Sequence, residues 1–419
     1  MASAAARPTH AEVLVIGAGP AGSACAQRLA AAGVDVVLAD QHEFPRDKVC
    51  GDGLIPDAHA ALRRIGAFDE VMSQAQFARH VRCVGTRGGY VDVPGQLAVL
   101  PRKQLDDILY RHALRAGAAS LVPARFEAPL LDGDRVVGAQ LKQDGLTFEV
   151  SARWVVLATG AVPQAMIAAG LCDRRTPSGV ALRGYVKNQA MVGRIDKLEI
   201  VWHKRLAGGY GWIFPAPGGV FNIGAGLTGS HAVEQGRDGV HGRMKDVNLR
   251  EMFDAFCEAH APARELMATG TLLGQTAGEV KGELKGAPLR CSLGGARWSR
   301  PGLIAVGEAI GSTYAFTGEG IGKAMETGLL AAEALLLRRD ASEPDVRQRY
   351  EGGLRALQPR FALYEKAAHV NHRPWLTDLV IWRARRSPGI LRRMSGVLEE
   401  TQNPGRLLSF RGITKLMFE

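Results

Sequence analysis

Cysteine is scarce and scattered. Six occur in 419 residues, at positions 25, 50, 83, 172, 257 and 291, and no two form a CxxC pair. That spacing excludes a disulfide-stapled scaffold and a structural zinc site, and it suits a chain kept in a reducing cytoplasm. No stretch reaches the roughly 18 uninterrupted apolar residues that a membrane span requires. The opening MASAAARPTHAE lacks the apolar core of a secretory signal, so a cytoplasmic location is expected. There is no internal repeat and no low-complexity tract.

What is present is ordinary in bulk and specific in detail. Hydrophobic residues make up 46% and charged ones 22%, enough for a large buried core in one elaborated domain or two. The 51 glycines favour tight turns and close backbone approaches. The formal net charge of +10 makes anionic partners worth considering.

The stretch AEVLVIGAGPAGSACAQRLAAAGVDVVLAD reads as strand, turn, helix, strand. Val13 to Ile16 form a buried strand, Ala21 to Ala32 an alanine-rich helix, and Val34 to Ala39 a second strand closed by Asp40. Gly17, Gly19 and Gly22 make a GxGxxG turn, with Pro20 and Ala21 opening the helix. The first glycine permits the turn, the second lets backbone approach a pyrophosphate, and the third lets helix and sheet close up. The helix N-terminus then faces phosphate, and Asp40 is placed to accept from ribose hydroxyls.

Two distant segments add to this unit. RWVVLATGAV is a buried strand running into a turn at Gly160, and GLIAVGEAIGSTYAFTGEGIGKAMETGLLAAEALL carries Gly307, Glu308, Gly318, Gly320 and Ile321 into a small-residue helix. Together they resemble the FAD-dependent oxidoreductases of the para-hydroxybenzoate hydroxylase type. The resemblance implies FAD, an acid at Glu308 (where that group usually has Asp) on the ribityl or pyrophosphate region, and a late helix aimed at the flavin pyrimidine. PRKQLDDILYRHALRAGA matches the same group, which implies that Arg102 reaches the flavin side chain or pyrophosphate. Arg46 joins the expected cofactor set.

EFPRDKVCGDGL follows the second strand. Pro45, Lys48, Cys50 and Gly51 fit the P-x-x-K/Y-x-C-G motif of the geranylgeranyl reductase family, and Tyr210, Trp212, Phe214 and Pro215 fit its Y-x-W-x-F-P signature. The chain resembles that family from the N-terminal unit to the Gly307–Gly320 region. The expected catalytic set is Cys50, Lys48 and Gly51. Cys50 would sit against the flavin, Gly51 and Gly53 would let backbone approach the ring, and Lys48 would balance a reduced flavin or depress the thiol pKa. Tyr210, Trp212 and Phe214 alternate, so a strand puts them on one face as a substrate wall.

The expected fold is α/β, a Rossmann-type FAD-binding domain (1–80, 100–170 and 295–340) interleaved with an antiparallel-sheet substrate domain (81–99 and 171–294). A helical C-terminal region, 341–419, follows. A second GxGxxG, Gly224 to Gly229, reads as strand and turn because no apolar helix follows it, and GEGIGK lacks Walker A spacing. Glu365, His369 and His372 share a helical face, but no metal is expected. In the tail, Trp375, Leu376, Leu379, Val380, Ile390, Leu391, Met394, Val397 and Leu398 accompany Arg383, Arg385, Arg386, Arg392, Arg393, Arg406, Arg411 and Lys415. That pattern suits either a helical cap or a peripheral contact with an anionic membrane, and its aromatics are not interleaved as nucleic-acid binding requires.

The resemblance implies reduction of C=C bonds in a prenyl chain, a geranylgeranyl lipid or an isoprenoid quinone, with NAD(P)H or another donor reducing the flavin. A flavin monooxygenase or halogenase is the alternative. Halogenases of this fold carry W-x-W-x-I-P, which Tyr210 and Phe214 break. A flavoprotein that matures a partner protein is a third reading.

Overall fold

The computed structural model describes residues 7–402, apart from 207, 237–238, 245–247, 275–282 and 338–341. Arg406, Arg411 and Lys415 lie outside the described residues.

The N-terminal strand His10–Ile16 lies between two parallel neighbours, Val36–Ala39 on one side and Leu146–Leu157 on the other. Ala119–Leu121 extends the sheet beyond Val36–Ala39, and Leu303–Ala305 pairs in parallel with Leu146–Leu157. Parallel strands covered on both faces read as continuous apolar runs, and Val13 to Ile16 and Val36 to Ala39 are all buried. The helices Pro20–Ala30 and Ile321–Leu336 pack together on this sheet, so closely that a Cβ on Gly328 would stand 2.1 Å from the Ala21 carbonyl oxygen. Two antiparallel strands, Arg125–Asp132 and Arg135–Gln143, and the two-residue strand Ser299–Arg300 beside Leu303–Ala305 complete the eight-stranded sheet.

The second sheet has nine strands in mostly antiparallel order. Its centre is the pair Gly209–Ala216 and Val220–Thr228, flanked by Gly179–Lys187 and Leu198–Val201. The hairpin Gln76–Val84 and Tyr90–Val99 joins it, beginning five residues before the expected 81, and the two-residue strand Gly53–Leu54 caps that edge. The chain therefore enters this sheet already in the turn that carries Cys50. Helix Leu249–Ala259 covers its back with Phe253 and Phe256.

The second GxGxxG lies on the Val220–Thr228 strand and has a packing role. Gly224 faces Trp212, and a Cβ there would stand 2.2 Å from the indole Cζ2. The glycine is a socket for the tryptophan.

After the 26-residue helix Glu343–Ala368, helices Pro374–Ala384 and Pro388–Leu398 cover the hairpin. Ile381, Ala384 and Ile390 are buried with Val91, Val93 and Leu97. Much of the apolar stripe in the tail is thus spent on the second sheet. Trp375 and Trp382 stay 60% and 48% exposed. Among the described residues no helix is long and apolar enough to cross a membrane.

Candidate active site

A large cavity opens at the C-terminal ends of the parallel strands, where open α/β sheets bind ligands. It encloses about 2690 Å³ of non-protein space, open solvent at its mouth included. Its enclosed part, about 550 Å³, falls within the roughly 300–1,000 Å³ of ordinary ligand pockets. Every site residue expected from the sequence lines it except Gly22 and Gly307.

The three glycines of the first turn divide by role. A Cβ on Gly17 (φ +103°) would lie 2.3 Å from the Ala158 carbonyl oxygen, and one on Gly22 would lie 1.8 Å from that of Gly17. Both are dictated by backbone contact within the fold. Gly19 differs, since its Cβ would meet only Arg46 Nη2 at 3.5 Å and Arg102 Nη2 at 3.8 Å. The space above Gly19 is a cradle faced by two guanidinium groups and by the N-terminus of helix Pro20–Ala30. Such a cradle holds pyrophosphate.

Carboxylates brace the cradle. The Ala18 N–H donates to Asp40 Oδ2 at 2.8 Å and the His42 N–H to Oδ1 at 3.0 Å. Asp40 thus closes the turn, and its remaining lone pairs can accept from a ribose. Arg46 bridges Asp40 at 3.5 Å and Asp106 at 3.0 Å, and Arg102 donates to Asp106 at 2.6 and 2.8 Å. Arg46 Nε is buried with no protein hydrogen-bond partner, and its guanidinium carbon lies 4.9 Å from the Phe44 ring centroid. On the far rim, Gly307 presses against helix Pro20–Ala30, its absent Cβ 2.7 Å from that of Ala21, and Glu308 lines the cavity with Thr313 Oγ1 3.5 Å away.

The Cys50 turn packs directly on the aromatic strand. A Cβ on Gly51 would come within 3.3 Å of Phe214 Cε2 and 3.8 Å of Trp212 Nε1, and one on Gly53 within 3.5 Å of Phe214 Cε2. These glycines were expected to make room for a flavin ring. Their bare faces point instead at the phenyl group, so turn and wall form one continuous surface. Tyr210, Trp212 and Phe214 do share the cavity face of their strand, with the Tyr210 and Trp212 rings edge to face at 6.4 Å.

The cation beside the thiol also differs from expectation. Burial pushes the Cys50 thiol above its ordinary pKa, and the nearby cation that partly offsets this is Arg102. Lys48 holds the fold through its carbonyl, which accepts from Arg183 at 2.9 Å. Cys50 is therefore a neutral thiol at neutral pH, not an activated thiolate.

Sequence reasoning missed the group that ties turn to wall. Asp52, fully buried with φ +65°, accepts from Asn222 Nδ2 at 2.7 Å, Tyr185 Oη at 2.5 Å and the Arg102 N–H at 3.3 Å. Asn222 also donates to the Cys50 carbonyl at 2.7 Å and accepts from Trp212 Nε1 at 2.8 Å. The polar Asn222 within the apolar strand VFNIGAGLT was the available signal, because a buried amide needs partners on both its ends.

Burial pushes Asp52 up from 3.8 to about 6, against the pull of Arg183, Tyr185, Asn222 and Arg102. A folded pKa above the unfolded one contributes stability that is present below about pH 4 and lost as pH rises through about 6. Relative to Asp52→Asn, the wild type should lose about 3 kcal/mol between about pH 4 and pH 7 in denaturant titrations. A difference independent of pH would contradict this reading.

The fold and the cradle define an FAD-binding oxidoreductase. A family model for the FAD binding domain matches residues 10–191. The menaquinone reductase of Mycobacterium tuberculosis is 33% identical over 348 residues, 78% of this chain and 76% of its own. Digeranylgeranylglycerophospholipid reductase 1 of Methanopyrus kandleri is 27% identical over 354 residues, covering 81% and 84%. A solved geranylgeranyl bacteriochlorophyll reductase-like protein from Thermoplasma acidophilum superposes with a TM-score of 0.69 at 21% identity, covering 99% and 97%. The chain belongs to the geranylgeranyl reductase family of FAD-dependent oxidoreductases, and FAD is its cofactor.

Proposed function

We propose that the protein reduces C=C bonds in a prenyl chain, carried by an isoprenoid quinone or a geranylgeranyl lipid. The observation that carries this reading is the single cavity, with the phosphate cradle at Gly19 and the aromatic wall at Tyr210, Trp212 and Phe214. FAD, once reduced by NAD(P)H or another donor, supplies hydride chemistry. The parallel-sheet segments hold the cofactor, and the second sheet, which the chain joins at Gly53–Leu54 and again from Gln76, holds the substrate. Arg46, Arg102 and the N-terminus of helix Pro20–Ala30 bind phosphate. The wall orients an apolar chain, and apolar contact along its length fixes which double bond is presented.

Mass spectrometry of the apolar material released from the purified protein tests this. A polyprenyl quinone or lipid with mixed saturation is the expected finding. An aromatic or halogenated small molecule without a prenyl chain would contradict it.

Cys50, braced through its carbonyl by Asn222, presents a neutral thiol to the cavity. Cys50→Ala should keep FAD and lower kcat roughly tenfold or more. An unchanged kcat would return the thiol to packing.

The exposed Trp375 and Trp382, with Arg385, Arg386, Arg392 and Arg393 exposed nearby in sequence, suit an anionic bilayer surface. Replacing both tryptophans by alanine should weaken co-sedimentation with phosphatidylglycerol vesicles roughly tenfold. Equal binding by the double variant would reject a lipid role. Deleting the tail is the poorer test, because it would strip Ile381 and Ile390 from the hairpin they cover.

A further inference from the structure

The cavity has a carboxyl group that neither the cofactor cradle nor the aromatic wall uses. Glu319 lines it, in the loop just before helix Ile321–Leu336, and its Oε2 is buried without a protein partner. The loop is rigidly placed. The Gly318 N–H donates to the Tyr314 carbonyl and the Tyr314 N–H to the Glu319 carbonyl, each at 2.9 Å. Tyr210 of the wall donates its hydroxyl to the Thr317 carbonyl at 2.9 Å, and Gly318 leaves room for that hydroxyl, its absent Cβ 2.7 Å from Oη. The carboxyl is thus joined through one short loop to the surface proposed to carry substrate.

The cation that acts on Glu319 is already committed elsewhere. Lys323, 2% exposed, pairs with Glu326 at 2.6 Å, Glu400 at 2.7 Å and Asp57 at 3.5 Å. Arg360 is engaged with Glu400 at 2.5 Å. Three carboxylates from three parts of the chain share the buried lysine, so its pull on Glu319 is weaker than the effect of burial. A carboxyl in low dielectric without a counter-ion keeps its proton. Burial, then the charges of Asp57 and Glu400, raise the Glu319 pKa well above the carboxylate range, against the pull of Lys323 and of the Thr317 hydroxyl. Tyr210 from the wall and Tyr364 from helix Glu343–Ala368 also face it, both themselves raised by burial and so neutral.

We propose that Glu319 is the proton donor of the reduction. This rests on the alkene-reductase reading above. One carbon of the C=C bond takes a hydride supplied by the reduced cofactor, and the other takes the Glu319 proton. The π bond breaks, two C–H bonds form, the cofactor is oxidised by two electrons, and Glu319 is left as a carboxylate that water reprotonates. A general acid of this kind contributes roughly 100-fold or more to rate.

Glu319→Gln tests the assignment, because it keeps shape and polarity and removes the acid. The FAD-bound variant should hold its yellow colour and KM, lose roughly 100-fold in kcat, and show none of the fall in kcat that the wild type shows as pH rises. Glu319→Asp should recover part of the rate. Independently of turnover, the infrared band of a protonated carboxyl at neutral pH should vanish in the glutamine variant. A wild-type kcat in Glu319→Gln, loss of FAD by that variant, or no such band would each overturn the proposal while leaving alkene reduction intact. A wild-type enzyme that reduces no prenyl double bond would overturn both.

Discussion

Gly19→Val is expected to give a folded, colourless protein. Gly19 has ordinary extended backbone, φ −75° and ψ −172°, so valine adds no strain there. Nothing in the protein obstructs the new side chain, since the first atoms in its way are the ends of Arg46 and Arg102. The methyl groups instead fill the cradle where pyrophosphate must sit. FAD affinity should fall at least about 100-fold, about 2.7 kcal/mol, while the Tm of the FAD-free protein stays within about 3 °C. Gly17→Ala and Gly22→Ala should behave differently. Each drives a Cβ into a backbone carbonyl, and losses of about 3 kcal/mol or more in stability should precede any effect on FAD. Full flavin binding by Gly19→Val would undo the placement of the cofactor.

Asn222→Ala is expected to be the most damaging change on the substrate side. It strands Trp212 Nε1 and the Cys50 carbonyl and takes one donor from Asp52, all in buried surroundings. Each buried polar group without a partner costs about 1–3 kcal/mol, so the sum is about 3–5 kcal/mol. For a chain of this length that is a Tm fall of about 3–6 °C. The functional effect is separate. Asn222 is the peg between the thiol turn and the wall, so kcat should fall roughly tenfold or more with flavin still bound. Thermal melts and flavin absorbance on one preparation distinguish the two effects. Wild-type stability and turnover together would remove the peg from the account.

Local motifs were legible where the chemistry is local. The glycine turn, the acid at Asp40 and the alternation of Tyr210, Trp212 and Phe214 each lie within one short segment, and the sequence period alone fixes the shared face. The fold class followed from strand-helix-strand order at the N-terminus. What escaped was long-range pairing. Asp52 lies in the very stretch that drew attention to Cys50, but its partners Tyr185 and Asn222 are 133 and 170 residues away. The bare face of Gly51 could not be aimed from sequence either, because its neighbour Phe214 lies on another sheet strand. The tail shows the same limit. Its apolar spacing marked helices, and only the hairpin they cover explains Ile381 and Ile390. Lys48 illustrates the converse, since proximity in sequence suggested a partner for the thiol that Arg102, more than 50 residues on, supplies in space.

A single turnover without O₂ bears most directly on the proposed chemistry. The enzyme, its FAD chemically reduced beforehand, is mixed with a prenylated quinone, and flavin absorbance is followed beside the mass of the product. The account predicts that yellow oxidised flavin returns in step with a substrate that has gained two hydrogens in its side chain. Flavin that stays reduced until O₂ is admitted, with product carrying a new oxygen atom, would contradict it.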